Sequence, residues 1–266
     1  YNLAIEIHSI PERTIVMAIP FFVNEKPGSE WKKHHFHDRL LRCLAIRNSI
    51  MSVHTQNNVH VLVHPLVSHK LAILRAKETP PHHFRQTLHE LSWLLAFPAL
   101  QKLQVIPVEV QTPLESMTAE TMCDPKPCLV SILRAGNGLI DGFSQICPEA
   151  SVGHLGLYRD HETAEPISYY SSLPDEMEKR QVILGDPMLA TGGSAVMAIE
   201  TLQSMGVTDI VFACLVAAPE GVAAVHGQFP DVPIVTAALD RELNEMSYIL
   251  PGLGDAGDRI YGTVRS

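Results

Sequence analysis

Residues 185–195 read GDPMLATGGSA and follow the short apolar run Val182-Ile183-Leu184. Asp186 stands where a buried strand should end, and the loop after it carries little side-chain bulk. In an open α/β sheet, ligands sit beyond the C-terminal ends of the strands. A helix starting near Ser194 turns its free N–H groups and positive dipole end toward the same crevice. Gly192 and Gly193 let the main chain approach a ligand closely, while Thr191 and Ser194 add hydroxyl donors. These residues form a phosphate cradle built from backbone amides. The loop lacks the lysine of G-x-x-x-x-G-K-[ST] and the spacing of G-x-G-x-x-G. Neither a nucleoside triphosphatase nor a dinucleotide dehydrogenase is therefore indicated. An acid ahead of a phosphate cradle suits a sugar phosphate: the loop holds the phosphate and the carboxylate accepts from ribose hydroxyls. Taken alone, T-G-G-S could equally be a plain tight turn between strand and helix. The strand, the acid and the following helix together tip the balance toward a ligand.

Two further stretches could carry chemistry. Arg134 follows the apolar run CLVSIL (128–133) and precedes a glycine turn. An arginine there is a surface charge unless it faces an anion. The stretch YILPGLGDAGDR (248–259) sets three glycines and a proline around two acids. The His-rich tract KKHHFH (32–37) reads as an exposed polar segment before it reads as a metal site.

Elements that could position these residues are legible. FRQTLHELSWLLAF (84–97) spaces Phe84, Leu88, Leu91 and Leu95 as one helical face. CLVSIL reads as a buried strand that turns through RAGNGLIDGF into a helix. VGHLGLYR and EPISYYSSL, on either side of DHETA, read as two extended runs around a turn, a protruding hairpin. QVILGD, the glycine loop, AVMAIETLQSMG and DIVFACLVAA make a strand–loop–helix–strand unit, with Gly206 placed to end the helix. PIVTAAL (233–239) adds a strand. Apolar strands alternating with helices predict a largely parallel sheet covered on both faces.

The chain has 266 residues, 46% hydrophobic and 18% charged, which is ordinary for a globular enzyme. Its net charge of −9 and lack of a basic stripe speak against nucleic acid as a partner. No apolar window is long enough for a membrane span. The five cysteines, Cys43, Cys123, Cys128, Cys147 and Cys214, are odd in number and lack zinc-type spacing. They fit reduced thiols in a cytoplasmic protein. Residues 1–56 read as an N-terminal extension of unknown role, too acidic for a transit peptide, and 57–266 as the functional domain. The chain opens on Tyr1, and Met51 is read as its native start.

DPMLATGGS resembles the phosphoribosyl-diphosphate (PRPP) loop of type I phosphoribosyltransferases, in the form used by the uracil phosphoribosyltransferases. HPLVSHKLAILR (64–75), ILRAGNG (132–138), LYRDHETAEP (157–166), AAPEG (217–221) and LNEMSYILPGLGDAGDRIYGT (243–263) resemble further motifs of that family, in order. The resemblance spans roughly residues 58–264. It implies a type I phosphoribosyltransferase fold: a mostly parallel sheet between helices, with a small hood and a protruding β-arm. It implies transfer of phosphoribose from PRPP to N1 of uracil, giving UMP and diphosphate. By the same resemblance Arg134 and Arg159 meet the diphosphate. Asp186, Pro187, Met188, Leu189, Ala190, Thr191, Gly192, Gly193 and Ser194 hold the ribose 5-phosphate. Ile249, Gly254, Asp255 and Ala256 form the uracil site. Asp255 also approaches PRPP and is the candidate general base. A rigid main chain can read uracil's alternating acceptors and donor, and would leave a donor unpaired against cytosine.

Magnesium (Mg2+) would arrive mainly on PRPP. Family members are homodimers or homotetramers, and some take GTP as an allosteric activator. Three residues depart from the family's pattern: Ser131 where it has Pro, Asn137 where it has Leu, and Pro98 where it has Glu. A non-catalytic regulator sensing PRPP or uracil nucleotides is the alternative reading. It should carry a basic face for RNA.

Overall fold

The computed structural model describes residues 52–159 and 166–263. The chain divides into two units, 1–47 and 48–266. Residues 1–51 of the expected extension, with KKHHFH and Cys43, lie outside the described residues, as do 160–165 and 264–266, while its last five residues form the first strand of the main sheet rather than an appendage.

In chain order, the antiparallel pair β1 (Ser52–Gln56) and β2 (Val59–Val63) leads into α1 (Pro65–Arg75) and α2 (Pro81–Ala99). Next come β3 (Val105–Gln111), β4 (Ser116–Met122), β5 (Cys128–Leu133), α3 (Gly136–Ile146), β6 (Ser151–Arg159) and β7 (Pro166–Ser172). Then follow β8 (Val182–Gly185), β9 (Met188–Leu189), α4 (Gly193–Ser204), β10 (Ile210–Ala217), α5 (Pro219–Gln228) and β11 (Ile234–Leu239). The chain closes with β12 (Glu242–Leu243), β13 (Ile249–Leu250) and α6 (Ala256–Tyr261).

The main sheet runs β1-β2-β11-β10-β8-β5-β6-β7, with β9 paired to β10. Strands β2, β11, β10, β8, β5 and β6 are parallel; β1 and β7 are antiparallel edges. Both faces are covered, which is why the central strands are mostly apolar. Side chains alternate across a strand. Leu129, Ile183 and Val211 therefore pack with residues of α1, α2 and α3, whereas Val130, Leu184 and Phe212 pack with those of α4 and α5. The predicted α2 stripe, Phe84, Leu88, Leu91 and Leu95, is fully buried. Each such side chain contributes about 1.5–3 kcal/mol of burial. Pro98 falls in the last turn of α2, where it lacks the N–H that would bond the carbonyl four residues back, and the helix ends one residue later. Gly206 lies just past α4 with φ 86°, as the helix stop requires. Burial pushes the Cys128 and Cys214 thiols up to about 12, so both are core residues rather than reactive groups. No helix among the described residues is long and apolar enough to cross a membrane.

The expected hairpin forms around DHETA: β6 and β7 pair antiparallel at the edge of the main sheet, where β6 is parallel to β5 and buries Leu155 and Leu157. The free-standing ribbon is β3–β4, a separate two-stranded sheet whose residues are almost all exposed. Ile106, Val108 and Val110 alternate with Pro107, Glu109 and Gln111, but Pro107 inside β3 demotes the run as a strand signal.

Candidate active site

The PRPP-type loop is fastened to its neighbour strand. Asp186 N–H donates to Ala213 O (3.1 Å), and Pro187 O accepts from Leu215 and Val216 N–H (2.9 and 3.2 Å). Met188 and Leu189 continue as β9, and Leu189 O accepts from Ala218 N–H (2.8 Å). Gly192 then turns the chain with φ 83° and caps α4; its C=O accepts from Val196 N–H (2.8 Å). The first N–H groups of a helix have no partner within it, and here they open onto the crevice end of the sheet. Thr191 and Ser194 are exposed there, while Pro187 and Leu189 are buried. Only the main chain of Leu189 could therefore meet a ligand.

The AAPEG motif explains the loop's compactness. A Cβ on Gly221, at the start of α5, would lie 2.4 Å from Ala190 O and 2.7 Å from Leu189 O. A Cβ on Gly192 would lie 2.9 Å from Gly221 O. Loop and helix touch backbone to backbone, so neither glycine can carry a side chain.

Asp186 is half-buried at the mouth of this loop, and its Oδ1 accepts from Met188 N–H (3.3 Å). Burial pushes its carboxyl up to about 7; the Met188 bond opposes that rise, and the nearby charge of Asp255 adds to it. The two carboxylates expected in the site thus lie close enough to repel.

Arg134 is exposed on the turn between β5 and α3, after a cis Leu133–Arg134 peptide. Its carbonyl accepts from the Tyr261 hydroxyl (2.8 Å), and its guanidinium lies over the Tyr261 ring, 5.6 Å from the centroid. Tyr261 belongs to α6, so the C-terminal segment closes against the Arg134 turn. Arg159 is the last residue of β6, paired with Pro166; its side chain lies outside the described residues.

The base-type segment is held by side chains from afar. Arg75, ending α1, makes a two-pronged ion pair with Asp240 (both contacts 2.7 Å) and also donates to Gly252 O (2.7 Å). Asp240 Oδ2 accepts from Gly252 N–H (2.9 Å). Arg259 donates to Leu253 O (2.9 Å), to Ala76 O (2.6 Å) and to Leu74 O, and stacks over Phe84 at 4.5 Å. Asn244 organises the β12–β13 hairpin: its Oδ1 accepts from Met246 and Tyr248 N–H (3.0 and 2.9 Å). Ile249 and Ala256 bury their side chains, whereas Gly254 and Asp255 are exposed. What this segment offers a ligand is mostly main chain. Asp255 also caps α6, its Oδ1 accepting from Asp258 N–H (2.9 Å).

The loops after β5, β8 and β11 therefore meet at the C-terminal end of one parallel sheet. The structure brings Arg134, Asp186–Ser194 and Ile249–Ala256 together. It adds three contributors that motif reading missed: the Arg75–Asp240 pair, Gly221, and Tyr261. Arg75, Gly221 and Tyr261 each sat inside a quoted motif, but nothing local revealed a partner up to 177 residues distant.

A parallel sheet with a fastened phosphate-type loop, an arginine turn and a closing C-terminal segment has the architecture of type I phosphoribosyltransferases. The comparisons agree. An adenine phosphoribosyl transferase from Trypanosoma brucei shares the fold at 15% identity, with a TM-score of 0.50 over 74% of this chain and 90% of that one. The AQ2163 protein from Aquifex aeolicus superposes with a TM-score of 0.73 at 36% identity, over 78% of this chain and all of that one. Residues 61–263 match the family model described as Uracil phosphoribosyltransferase. A uracil phosphoribosyltransferase of Acidovorax sp. (strain JS42) is 52% identical over 207 residues, 78% of this chain and 99% of that protein. One from Legionella pneumophila (strain Lens) is 51% identical over the same share of this chain. The chain belongs to the uracil phosphoribosyltransferase family.

Proposed function

We propose that this protein transfers the phosphoribosyl group of PRPP to N1 of uracil, forming UMP and releasing diphosphate. The observation that carries this reading is the convergence of Arg134, the Asp186–Ser194 loop and the Ile249–Ala256 segment at one end of the sheet. The C1′–oxygen bond to diphosphate breaks, the N1–C1′ bond forms, and the N1 proton leaves. No protein nucleophile is needed, because alignment alone can supply about 7–11 kcal/mol of barrier lowering.

Each residue then has a task. Loop amides, Thr191 and Ser194 hold the 5-phosphate, and Asp186 accepts from the ribose hydroxyls. Arg134, with Arg159, takes charge developing on the diphosphate. The main chain around Ile249, Gly254 and Ala256 pairs with the uracil edge. Asp255 sits between base and sugar and takes the N1 proton. Magnesium borne by PRPP would neutralise the diphosphate. Among the described residues no three His, Cys, Asp or Glu side chains form a metal cage. The Asp186–Asp255 pair fits an ion that brings its other oxygens from the substrate.

The test is an assay of the full chain with PRPP, magnesium and radiolabelled uracil, with cytosine, hypoxanthine and orotate in parallel. UMP from uracil alone is expected; product from another base, or none, overturns the reading. Adding GTP to that assay and measuring mass in solution decide activation and assembly.

A further inference from the structure

Core packing fixes the C-terminal segment at two points. Leu253 and Ala256 bury their side chains, and so does Ile260 one turn on. Gly254 and Asp255, between those anchors, are exposed. Packing sets where the Cα atoms lie, but not which way the peptide between Leu253 and Gly254 faces. A peptide followed by glycine can turn over while its Cα atoms stay nearly in place, which is how type I and type II turns differ. Gly254 has φ 76°, one of the two solutions open to a glycine.

Hydrogen bonds make the choice. Gly252 is held through both of its groups: its N–H donates to Asp240 Oδ2 (2.9 Å), and its C=O accepts from Arg75 (2.7 Å). The next peptide has a single hold. Leu253 O accepts from Arg259 of α6 (2.9 Å), and among the described residues Gly254 N–H meets no acceptor. Across a trans peptide the C=O and the N–H point opposite ways. Arg259 draws the carbonyl inward and so turns Gly254 N–H outward. The guanidinium is itself fixed: it donates to Ala76 O (2.6 Å) and to Leu74 O, and lies over the buried Phe84 ring, 4.5 Å from its centroid. A rigid fork of five donors can grip three carbonyls at once, which a lysine ammonium cannot reproduce.

We propose that Arg259 determines base specificity: by holding Leu253 O it presents Gly254 N–H, and not a carbonyl, to the base, and so selects a 4-oxo over a 4-amino pyrimidine. A donor at that place pairs with the 4-oxygen of uracil and stays unpaired against the amino group of cytosine. With the peptide turned over, Leu253 O would face the base and accept from that amino group instead. Arg259 is a positioning residue. It acts through one peptide plane, and the inference rests on the reading that this main chain meets uracil.

The test compares Arg259→Met and Arg259→Lys in the full chain. Methionine keeps an apolar stem over Phe84 and removes every donor, whereas lysine keeps the charge and loses the fork. The readouts, with magnesium present, are the uracil KM, the inhibition constant of cytosine against uracil, and PRPP affinity by calorimetry. In Arg259→Met the uracil KM should rise about tenfold, and the ratio of the cytosine constant to the uracil KM should fall about tenfold or more. In Arg259→Lys that ratio should fall about three- to fivefold. PRPP affinity should stay within about twofold in both.

A merely structural role would weaken both bases in parallel and leave the ratio at its wild-type value. That ratio unchanged in the variants overturns the inference, as does a loss of PRPP affinity as large as the loss for uracil. Arg259→Lys keeps the charge and most of the side-chain volume, so it decides the matter where Arg259→Met fails to fold. Wild-type chain that makes no UMP from uracil defeats the uracil reading and this inference together. Wild-type synthesis of UMP with an unchanged ratio in the variants defeats this inference alone.

Discussion

The loop at 186–194 and the segment at 249–256 face the same crevice but are built by opposite means. The first is fastened by its own main chain: ladder bonds to β10, a left-handed Gly192, and a backbone contact with Gly221. The second is fastened by charged side chains from other elements: Arg75 and Asp240 grip Gly252, and Arg259 grips Leu253. Backbone-held geometry tolerates no added atom and has little freedom to move. Side-chain-held geometry depends on ion pairs and can be loosened by degrees. A phosphate presents the same oxygens in every substrate, so a rigid cradle suits it. A planar base is recognised by its edge, and the segment that reads it can be tuned by residues that never touch it.

The sharpest way to break this contrast is Gly221→Val. Its side chain would start inside the contact with Ala190 and Leu189 carbonyls. Expected are a loss of stability of about 2–4 kcal/mol and a fall in kcat/KM for PRPP of about a hundredfold or more. Thermal melts and initial rates check it; near-normal rates would mean that the cradle can yield after all.

Asp255 separates its two tasks next. Asp255→Asn keeps a side chain able to cap α6, so the melting temperature should hold while turnover drops about a hundredfold. Asp255→Ala should show the same drop and lose about a further 1 kcal/mol of stability with the cap. Equal turnover in wild type and Asp255→Asn would leave Asp255 with capping alone.

On the other side of the comparison, Asp240→Asn weakens the grip on Gly252 without touching the cradle. It should raise the uracil KM about tenfold and cost about 2 kcal/mol, with PRPP affinity changed less than about twofold. A parallel rise for PRPP would show that the two regions are coupled rather than separately held.

The smallest expected effect concerns Asp186 and pH. Its folded pKa of about 7 lies above the ordinary 3.8, so burial penalises the ionised form. That penalty is absent below about 4, grows as pH rises toward 7, and is complete above 7. Asp186→Asn should therefore raise stability by about 1–3 kcal/mol at pH 8, and by much less at pH 5. The same variant should lose activity, because the ribose hydroxyls lose a charged acceptor. Equal stabilisation at both pH values would place the cause outside this carboxyl.

How far the sequence carried the reading follows the same division. The strand before Asp186, the small residues after it and the helix from Gly193 are local patterns, and each appears where its residue types demand. The stripe Phe84, Leu88, Leu91 and Leu95 was legible for the same reason. The β3–β4 ribbon was not, since Pro107 interrupts the alternation of Ile106, Val108 and Val110 that would otherwise mark β3 as a strand. Nor was the fate of Ile249, whose side chain faces the core and leaves only its peptide groups for a base.

The amino-acid order by itself determined a parallel sheet covered on both faces, a phosphate-type loop at one strand's end, and a family-length set of motifs in sequence. These rest on spacing and on residue size, which act between neighbours. Only the tertiary structure decided that Arg75 meets Asp240, that Gly221 seats the cradle, and that Tyr261 donates to the carbonyl of Arg134. Hydrogen bonds and ion pairs act over about 3 Å. The chain must fold before residues far apart in sequence come within that reach.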